Sequence, residues 1–136
     1  MTPDEAREHL CTEHYAVMAT FRADGRPQLS PVLAVVDDAG RVVVSTREGA
    51  MKTRNLRHDP RISLCLLSAG FYGPWGQVEG TAEIVALPEA MDLLIDYYRR
   101  AAGEHDHWDD YRAAMERDRR VVVRFEIDRA GPTVEG

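Results

Sequence analysis

The sequence predicts a mainly β protein of the α+β type: a six-stranded antiparallel barrel with helices packed on its outside. Two hairpin signals follow each other in the first third of the chain, at Asp24-Gly25 and at residues 37–40. Apolar segments with strand-like patterning alternate with segments of helical period. The apolar segment Val121 to Ile127 follows a helical region and needs an earlier strand as its partner. A barrel provides one, and closure removes the exposed edges that six strands otherwise carry.

The expected strands are each bounded by turn or breaker residues. The first follows a helix that has Thr2 as N-cap and Pro3 at its first helical position and runs to about Glu13. A short basic helix after the third strand ends at Asp59-Pro60, because a residue before proline avoids the helical region. The six strands are predicted at Tyr15 to Phe21, Gln28 to Val36, Arg41 to Thr46, Ile62 to Leu67, Trp75 to Val85 and Val121 to Ile127.

Two further helices are expected between the fifth and sixth strands. The first starts at Pro88, runs to about Ala102 and repeats apolar residues at helical spacing, so that it buries one stripe. The second is short and is marked by Trp108, Tyr111 and Met115.

Length and composition limit the class of protein. With 136 residues, 44% hydrophobic and 29% charged, the chain fits one globular domain over residues 1–136. No stretch approaches the ~20 apolar residues of a membrane span, and a net charge of -6 argues against nucleic acid as the main partner. Cys11 and Cys65 have neither metal-type nor redox-motif spacing, so free thiols and a cytoplasmic location are expected.

A basic segment at a strand-to-helix junction is the best candidate for a binding site. Between Arg47 and Arg61 lie five cations and two anions, a local excess of three positive charges in an acidic chain. Free backbone N–H groups at a helix start, the helix dipole and basic side chains all favour a bound phosphate. The alternative is a solvated surface helix whose charges serve solubility. These residues alone leave both interpretations open.

Other groups of reactive residues give weaker signals. Glu104-His105-Asp106-His107 is the densest histidine cluster, but it lacks a partner cluster, so a polar loop is expected and no metal is assigned. Ser30 lacks the Gly-x-Ser-x-Gly turn of an acyl-transfer nucleophile.

Four motifs and the order of the elements resemble a known family. The motifs are the Asp-Gly-Arg-Pro-Gln-Leu-Ser-Pro run at 24–31, Lys-Thr-Arg-Asn-Leu-x-x-Asp-Pro-Arg at 52–61, Glu-Gly-Thr-Ala at 79–82 and Ala-Gly-Glu-His-x-x-Trp-x-x-Tyr at 102–111. Together they are similar to the FMN-binding split β-barrels of the pyridoxamine 5'-phosphate oxidase type. The second and fourth motifs resemble most the branch that uses the deazaflavin coenzyme F420.

The resemblance implies a homodimer in which the cofactor lies at the interface and its phosphate contacts the junction after the third strand. Lys52 would be the principal phosphate-binding cation. Relatives often carry a basic residue two positions earlier, where this chain has Ala50, and Arg47 or Arg54 could replace it. The cofactor-binding residues that the resemblance implies are Ser45, Thr46, Lys52, Thr53, Arg54 and Asn55 near the phosphate, Gln28, Ser30, Pro31 and Val32 along the ring, and Trp75 and Gln77 closing the ring site.

The implied function is an F420-dependent oxidoreductase. It would transfer a hydride between F420 and a small planar substrate such as a quinone, biliverdin or a nitro compound, and no catalytic side chain is assigned because the cofactor carries the chemistry. One alternative is an FMN-binding pyridoxamine 5'-phosphate oxidase-like oxidase or flavin reductase. Against the oxidase itself, residues 129–136 lack the Arg- and Trp-bearing segment expected for its substrate phosphate. Another alternative is a non-catalytic cofactor- or haem-binding protein.

Overall fold

The computed structural model describes residues 1–132, so residues 133–136, part of the C-terminal comparison above, lie outside it. The elements are α1 (Pro3–His9), β1 (Tyr15–Phe21), β2 (Pro27–Val36), β3 (Val42–Arg47), α2 (Met51–His58), β4 (Arg61–Leu66), β5 (Gly76–Thr81), β6 (Glu83–Val85), α3 (Ala90–Ala102), α4 (Trp108–Arg117), β7 (Arg120–Phe125) and β8 (Arg129–Gly131).

The strands form one antiparallel sheet in the order β6-β7-β3-β2-β1-β4-β5-β8. The mainly β, split-barrel class is confirmed, but the number of six strands is wrong, because the described chain forms eight. The predicted strand Trp75 to Val85 breaks at Ala82: β5 pairs with β4, whereas β6 pairs with β7. The short β8 adds a further strand beside β5. The sheet therefore curls into a half-barrel with β6 and β8 at the ends of its hydrogen-bonded order.

A glycine permits the close crossing at the split. A Cβ at Gly80 of β5 would meet the carbonyl oxygen of Glu126 and would lie 2.6 Å from Cδ2 of Phe125. Both contacts are closer than atoms of a side chain tolerate, so the segment that joins β7 to β8 passes directly over a glycine.

Two hydrophobic clusters lie on opposite faces of the sheet. Inside the curl, Met18, Leu64 and Phe125 pack with α1 and with Leu56 of α2. Outside it, α3 and α4 cover the outer faces of β3, of β7 and of the second half of β2 in a cluster made of Val35, Val43, Ala90, Leu94, Ile95, Tyr111 and Val122. The outward side chains of the first half of β2 remain exposed and those of β1 are exposed or half-buried, with Leu29 at 65% and Tyr15 at 56%.

Helix boundaries depart from the predictions by a few residues. Thr2 is the N-cap of α1, as predicted, and it forms a capping box with Glu5, but the helix ends at His9 rather than near Glu13. The short basic helix α2 ends at His58 with Asp59 as its C-cap, as predicted. No helix within residues 1–132 has the length and apolar character that crossing a bilayer requires.

Candidate functional site

The basic segment keeps its positive charge in the folded protein. Both of its acidic residues form salt bridges within the segment, Glu48 with Arg57 at 2.7 Å and Asp59 with Arg61 at 2.7 Å. Within residues 1–132, Arg47, Lys52 and Arg54 form no salt bridge with a carboxylate. The local excess of three positive charges is therefore available to an outside anion.

The start of α2 adds backbone donors to these cations. Its N-cap is Ala50, which makes no side-chain hydrogen bond, and its first turn contains no acidic residue. The N–H groups of an uncapped first turn point outward and carry the positive end of the helix dipole. An anion beside Lys52 would satisfy them.

Two predicted residues of the Lys-Thr-Arg-Asn motif hold α2 in place. Thr53 is fully buried, and its hydroxyl donates to the carbonyl oxygen of Arg47 at 2.6 Å. The buried Asn55 amide donates to Thr20 Oγ1 at 3.1 Å and to Gln28 Oε1 at 3.3 Å. These bonds fix the start of α2 against the ends of β1, β2 and β3. Thr46 is also buried, and the half-buried Ser45 lies on the opposite face of β3.

The first half of β2 has an open backbone edge. It pairs with β1 throughout, whereas β3 pairs with β2 only at residues 34–36. The Ala34 N–H donates to the His14 carbonyl at 2.8 Å, so by strand alternation the backbone groups of Leu29, Pro31 and Leu33 face away from β1. The Leu33 carbonyl accepts the Tyr97 hydroxyl at 2.9 Å. The Leu29 N–H and the carbonyls of Leu29 and Pro31 thus form the open edge of β2, which can pair with the rim of a heterocycle.

The four predicted ring-contact residues of β2 alternate between two faces. Gln28, Ser30 and Val32 lie opposite the buried Thr20, Met18 and Ala16, and therefore point into the curl. The Ser30 hydroxyl is buried and has no hydrogen-bond partner within the described residues. Pro31 lies on the outer face, where β1, β2 and the segment after β4 enclose an apolar cavity of about 570 Å³ lined by Tyr15, Ala16, Val17, Pro31, Val32, Leu33, Leu67, Ser68, Ala69 and Phe71.

Trp75 and Gln77 do not reach the β2 residues within one chain. They line a separate cavity of about 250 Å³ together with Glu79 and Arg129. The strands β1 and β4 lie between β2 and β5, which places β5 about 14 Å from β2 at the usual strand spacing. A ligand that touches both sets needs either great length or two copies of the chain.

Arg120 lies near both Lys52 and Tyr97, and sequence reasoning missed Arg120 and Tyr97. Arg120 opens β7 directly opposite Arg47 of β3. Burial, and then the charge of Arg120, lower the pKa of Lys52. Burial raises the pKa of the Tyr97 phenol, whose hydroxyl is hydrogen-bonded to β2. The one sequence signal for Arg120 is the Arg119-Arg120 doublet that precedes the last long strand.

The histidine cluster takes a different role. The His105 ring packs against the rings of Tyr98, Trp108 and Tyr111 at centroid distances of 5.0 to 5.6 Å. Its Nδ1 accepts the backbone N–H of His107 at 2.8 Å. Within residues 1–132, no three His, Cys, Asp or Glu side chains come together in a way that could hold a metal ion.

The site combines an uncapped helix start and unpaired cations with an open strand edge. This arrangement suits a phosphorylated heterocycle, and comparison with known proteins agrees. Residues 2–133 match the family model described as pyridoxamine 5'-phosphate oxidase. The chain belongs to this family. The resemblance predicted from the four motifs is thereby confirmed.

Individual proteins that are similar to this chain add detail. The chain is 29% identical over 128 residues to an F420H(2)-dependent biliverdin reductase of Mycobacterium tuberculosis (strain CDC 1551 / Oshkosh), covering 93% of this chain and 84% of that protein. A crystal structure of a conserved hypothetical protein from Mycobacterium tuberculosis has a TM-score of 0.77 at 27% identity, covering 100% of this chain and 93% of that one. The heme storage protein HutZ from Vibrio cholerae shares the fold, with a TM-score of 0.71 at 18% identity over 94% of this chain and 92% of that one.

Proposed function

We propose that the protein is an F420-dependent reductase that transfers a hydride from the reduced cofactor to a small planar organic molecule. The observation that carries this proposal is the 29% identity, over 93% of the chain, to an F420H(2)-dependent biliverdin reductase. Biliverdin, a quinone and a nitroaromatic compound are the substrates to test, because each is flat and accepts two electrons.

The geometry of the site supports a phosphorylated tricyclic cofactor. Lys52 and the uncapped start of α2 bind the phosphate, with Arg54 and the Ser45 hydroxyl beside them. The buried residues Thr46, Thr53 and Asn55 lie under the phosphate site and maintain the conformation of the junction between β3 and α2. The open edge of β2 offers backbone donors and acceptors to the ring. When bound, the deazaflavin supplies the hydride, and the protein orients the ring and excludes water.

A homodimer brings the separated residues together. The outer faces of β1 and β2 expose apolar side chains, and a second copy covering them would bring its own Trp75 and Gln77 toward the β2 edge of the first. We propose that Gln28, Ser30, Pro31 and Val32 contribute to the ring site from one chain, and that Trp75 and Gln77 close it from the other.

The test is a titration of the purified protein with oxidised F420 and, in parallel, with FMN. Fluorescence quenching and absorbance shifts report the affinities at moderate salt. Micromolar or tighter binding of F420, with much weaker binding of FMN, is the expected result. Reduced F420 is then mixed with biliverdin, quinones and nitroaromatics, and its reoxidation is followed by absorbance.

Three other outcomes would assign the protein differently. A preference for FMN would make it an FMN-dependent oxidase or flavin reductase of the same family. Tight F420 binding without electron transfer to any tested acceptor would indicate a cofactor-binding protein. Binding of neither cofactor would overturn the proposal and direct the next titration to haem.

A further inference from the structure

Arg120 carries a positive charge that the described structure does not neutralise. Within residues 1–132, its Nε is buried without a hydrogen-bond partner, and the residue forms no salt bridge. A guanidinium has five N–H donors, and leaving a buried one unpaired costs free energy. A guanidinium with unpaired donors can bind an acceptor from outside the described chain.

Arg120 also lies close to other cations. Its Cα lies directly opposite that of Arg47 in the β3–β7 ladder, and like charges in that position repel. Its charge also acts on Lys52 of α2 and on Tyr97 of α3. Arg47, Lys52 and Arg120, hereafter the cation cluster, thus come from three elements to one place.

The acidic groups nearby form no salt bridge with the cluster within residues 1–132. Glu48 and Glu116 line a cavity of about 430 Å³ together with Arg119 and Arg120. The Glu48 carboxylate is held by Arg57 at 2.7 Å. Glu116 forms no salt bridge within residues 1–132.

We propose that Arg120 is a second anion-binding residue of this site, whose guanidinium on β7 binds the same phosphate group as the Lys52 ammonium on α2. One phosphate between the two cations offsets their repulsion and accepts hydrogen bonds from the guanidinium. A guanidinium presents two parallel N–H groups that match two phosphate oxygens, whereas an ammonium acts as a point charge. The identity of the phosphorylated molecule rests on the proposed function, but the pairing of Arg120 with Lys52 does not.

Inorganic pyrophosphate is the probe, and thermal unfolding with and without it gives the first readout. Wild type is expected to unfold at a higher Tm with millimolar pyrophosphate. Arg120→Met, which keeps an apolar stem, is expected to need at least ten-fold more pyrophosphate for the same shift. Arg120→Lys keeps the charge and recovers part of the affinity. Arg112→Met removes one exposed arginine of α4 and is the charge-matched control, with an unchanged response.

The second readout separates an anion-binding role from a structural one. Lys52 is the only lysine of the chain, so reductive ¹³C-methylation labels it and the α-amino group alone. Because a neighbouring positive charge disfavours protonation, the NMR-measured pKa of Lys52 is expected to rise in Arg120→Met. Without ligand, this variant is expected to unfold at a Tm no lower than wild type, because a repulsion is removed.

Two results overturn the inference: a folded Arg120→Met that binds pyrophosphate as wild type does, or a Lys52 pKa that is unchanged in that variant. Parallel F420 titrations separate a failure of this inference from a failure of the proposed function. If pyrophosphate binding depends on Arg120 but wild type does not bind F420, the pairing stands and the proposed function fails. If Arg120→Met binds pyrophosphate and F420 as tightly as wild type does, the pairing fails and the proposed function stands.

Discussion

Lys52 is the side chain on which cofactor affinity is expected to depend most. It is the only lysine among 17 Lys and Arg residues, and it lies in the first turn of an uncapped helix. Replacing it by alanine removes one charge-assisted hydrogen bond, so F420 binding should weaken by about 1.5 to 3 kcal/mol. Fluorescence titration at two salt concentrations measures the loss and its salt dependence. A folded Lys52→Ala with wild-type affinity would place the phosphate elsewhere, while Arg112→Ala should bind normally.

The lowered pKa of Lys52 also predicts how cofactor binding depends on pH. The anion binds the ammonium form, and burial together with Arg120 brings the pKa of Lys52 below its usual 10.5. F420 affinity should therefore fall as the pH rises through that lowered pKa. Lys52→Arg keeps its charge throughout this range and should lose the dependence. Titrations from neutral pH to about pH 10 compare the two proteins, and identical profiles would exclude Lys52 as the titrating group.

Sequence reasoning found Lys52 but could not find Arg120, and the reason is physical. Lys52 belongs to a contiguous motif at a strand-to-helix junction, where charge and helix start are visible locally. Arg120 reaches the site only because β7 pairs with β3, with Arg120 opposite Arg47. Such long-range pairing is not visible in the local sequence, where the Arg119-Arg120 doublet is the one signal. For β2 the signal was present in the sequence: strand alternation places Pro31 and Gln28 on opposite faces. The resemblance to the family nevertheless assigned both residues to the ring site.

At the level of elements, Gly80 is expected to be the most sensitive glycine of the sheet. A methyl group there would meet the Phe125 ring at the end of β7 and the Glu126 carbonyl oxygen in the backbone that follows β7. Gly80→Ala should destabilise the protein by about 1 to 3 kcal/mol, the usual cost of overpacking. Urea unfolding measures this cost. Gly70→Ala, with open space around the added Cβ, is the control, and equal stability of both variants would contradict the crossing described here.

The elements also show where sequence patterns stop being informative. Val78, Gly80, Ala82 and Ile84 continue one inward alternation, which is why β5 and β6 were predicted as one strand. The break at Ala82 comes from a change of partner, from β4 to β7, and a period of two does not record it. The three-residue β8 forms because it pairs with β5, and a pairing between distant segments is not visible in its local sequence. The elements β1 and α2, by contrast, carry local turn and breaker signals at their ends.

For the whole molecule, the expectation is a homodimer that forms the cofactor site jointly. Leu29, on the outward face of β2, is 65% exposed, and a second copy would remove this apolar surface from water. Leu29→Lys should dissociate the dimer, because a charge would be buried at the interface. Sedimentation equilibrium over a range of concentrations measures the association, and circular dichroism checks the fold. Ala113→Lys, on the exposed face of α4, is the matched control and should remain dimeric.

The same variant tests whether the site needs two chains. If Trp75 and Gln77 close the ring site from the partner, a monomeric Leu29→Lys loses most of its F420 affinity although Lys52 and Arg120 are intact. Pyrophosphate binding, which depends on the cation cluster of one chain, should survive. A folded monomer that still bound F420 as tightly as wild type would show that one chain holds the whole cofactor. Trp75 and Gln77, about 14 Å from β2 at the usual strand spacing, would then have no part in the ring site.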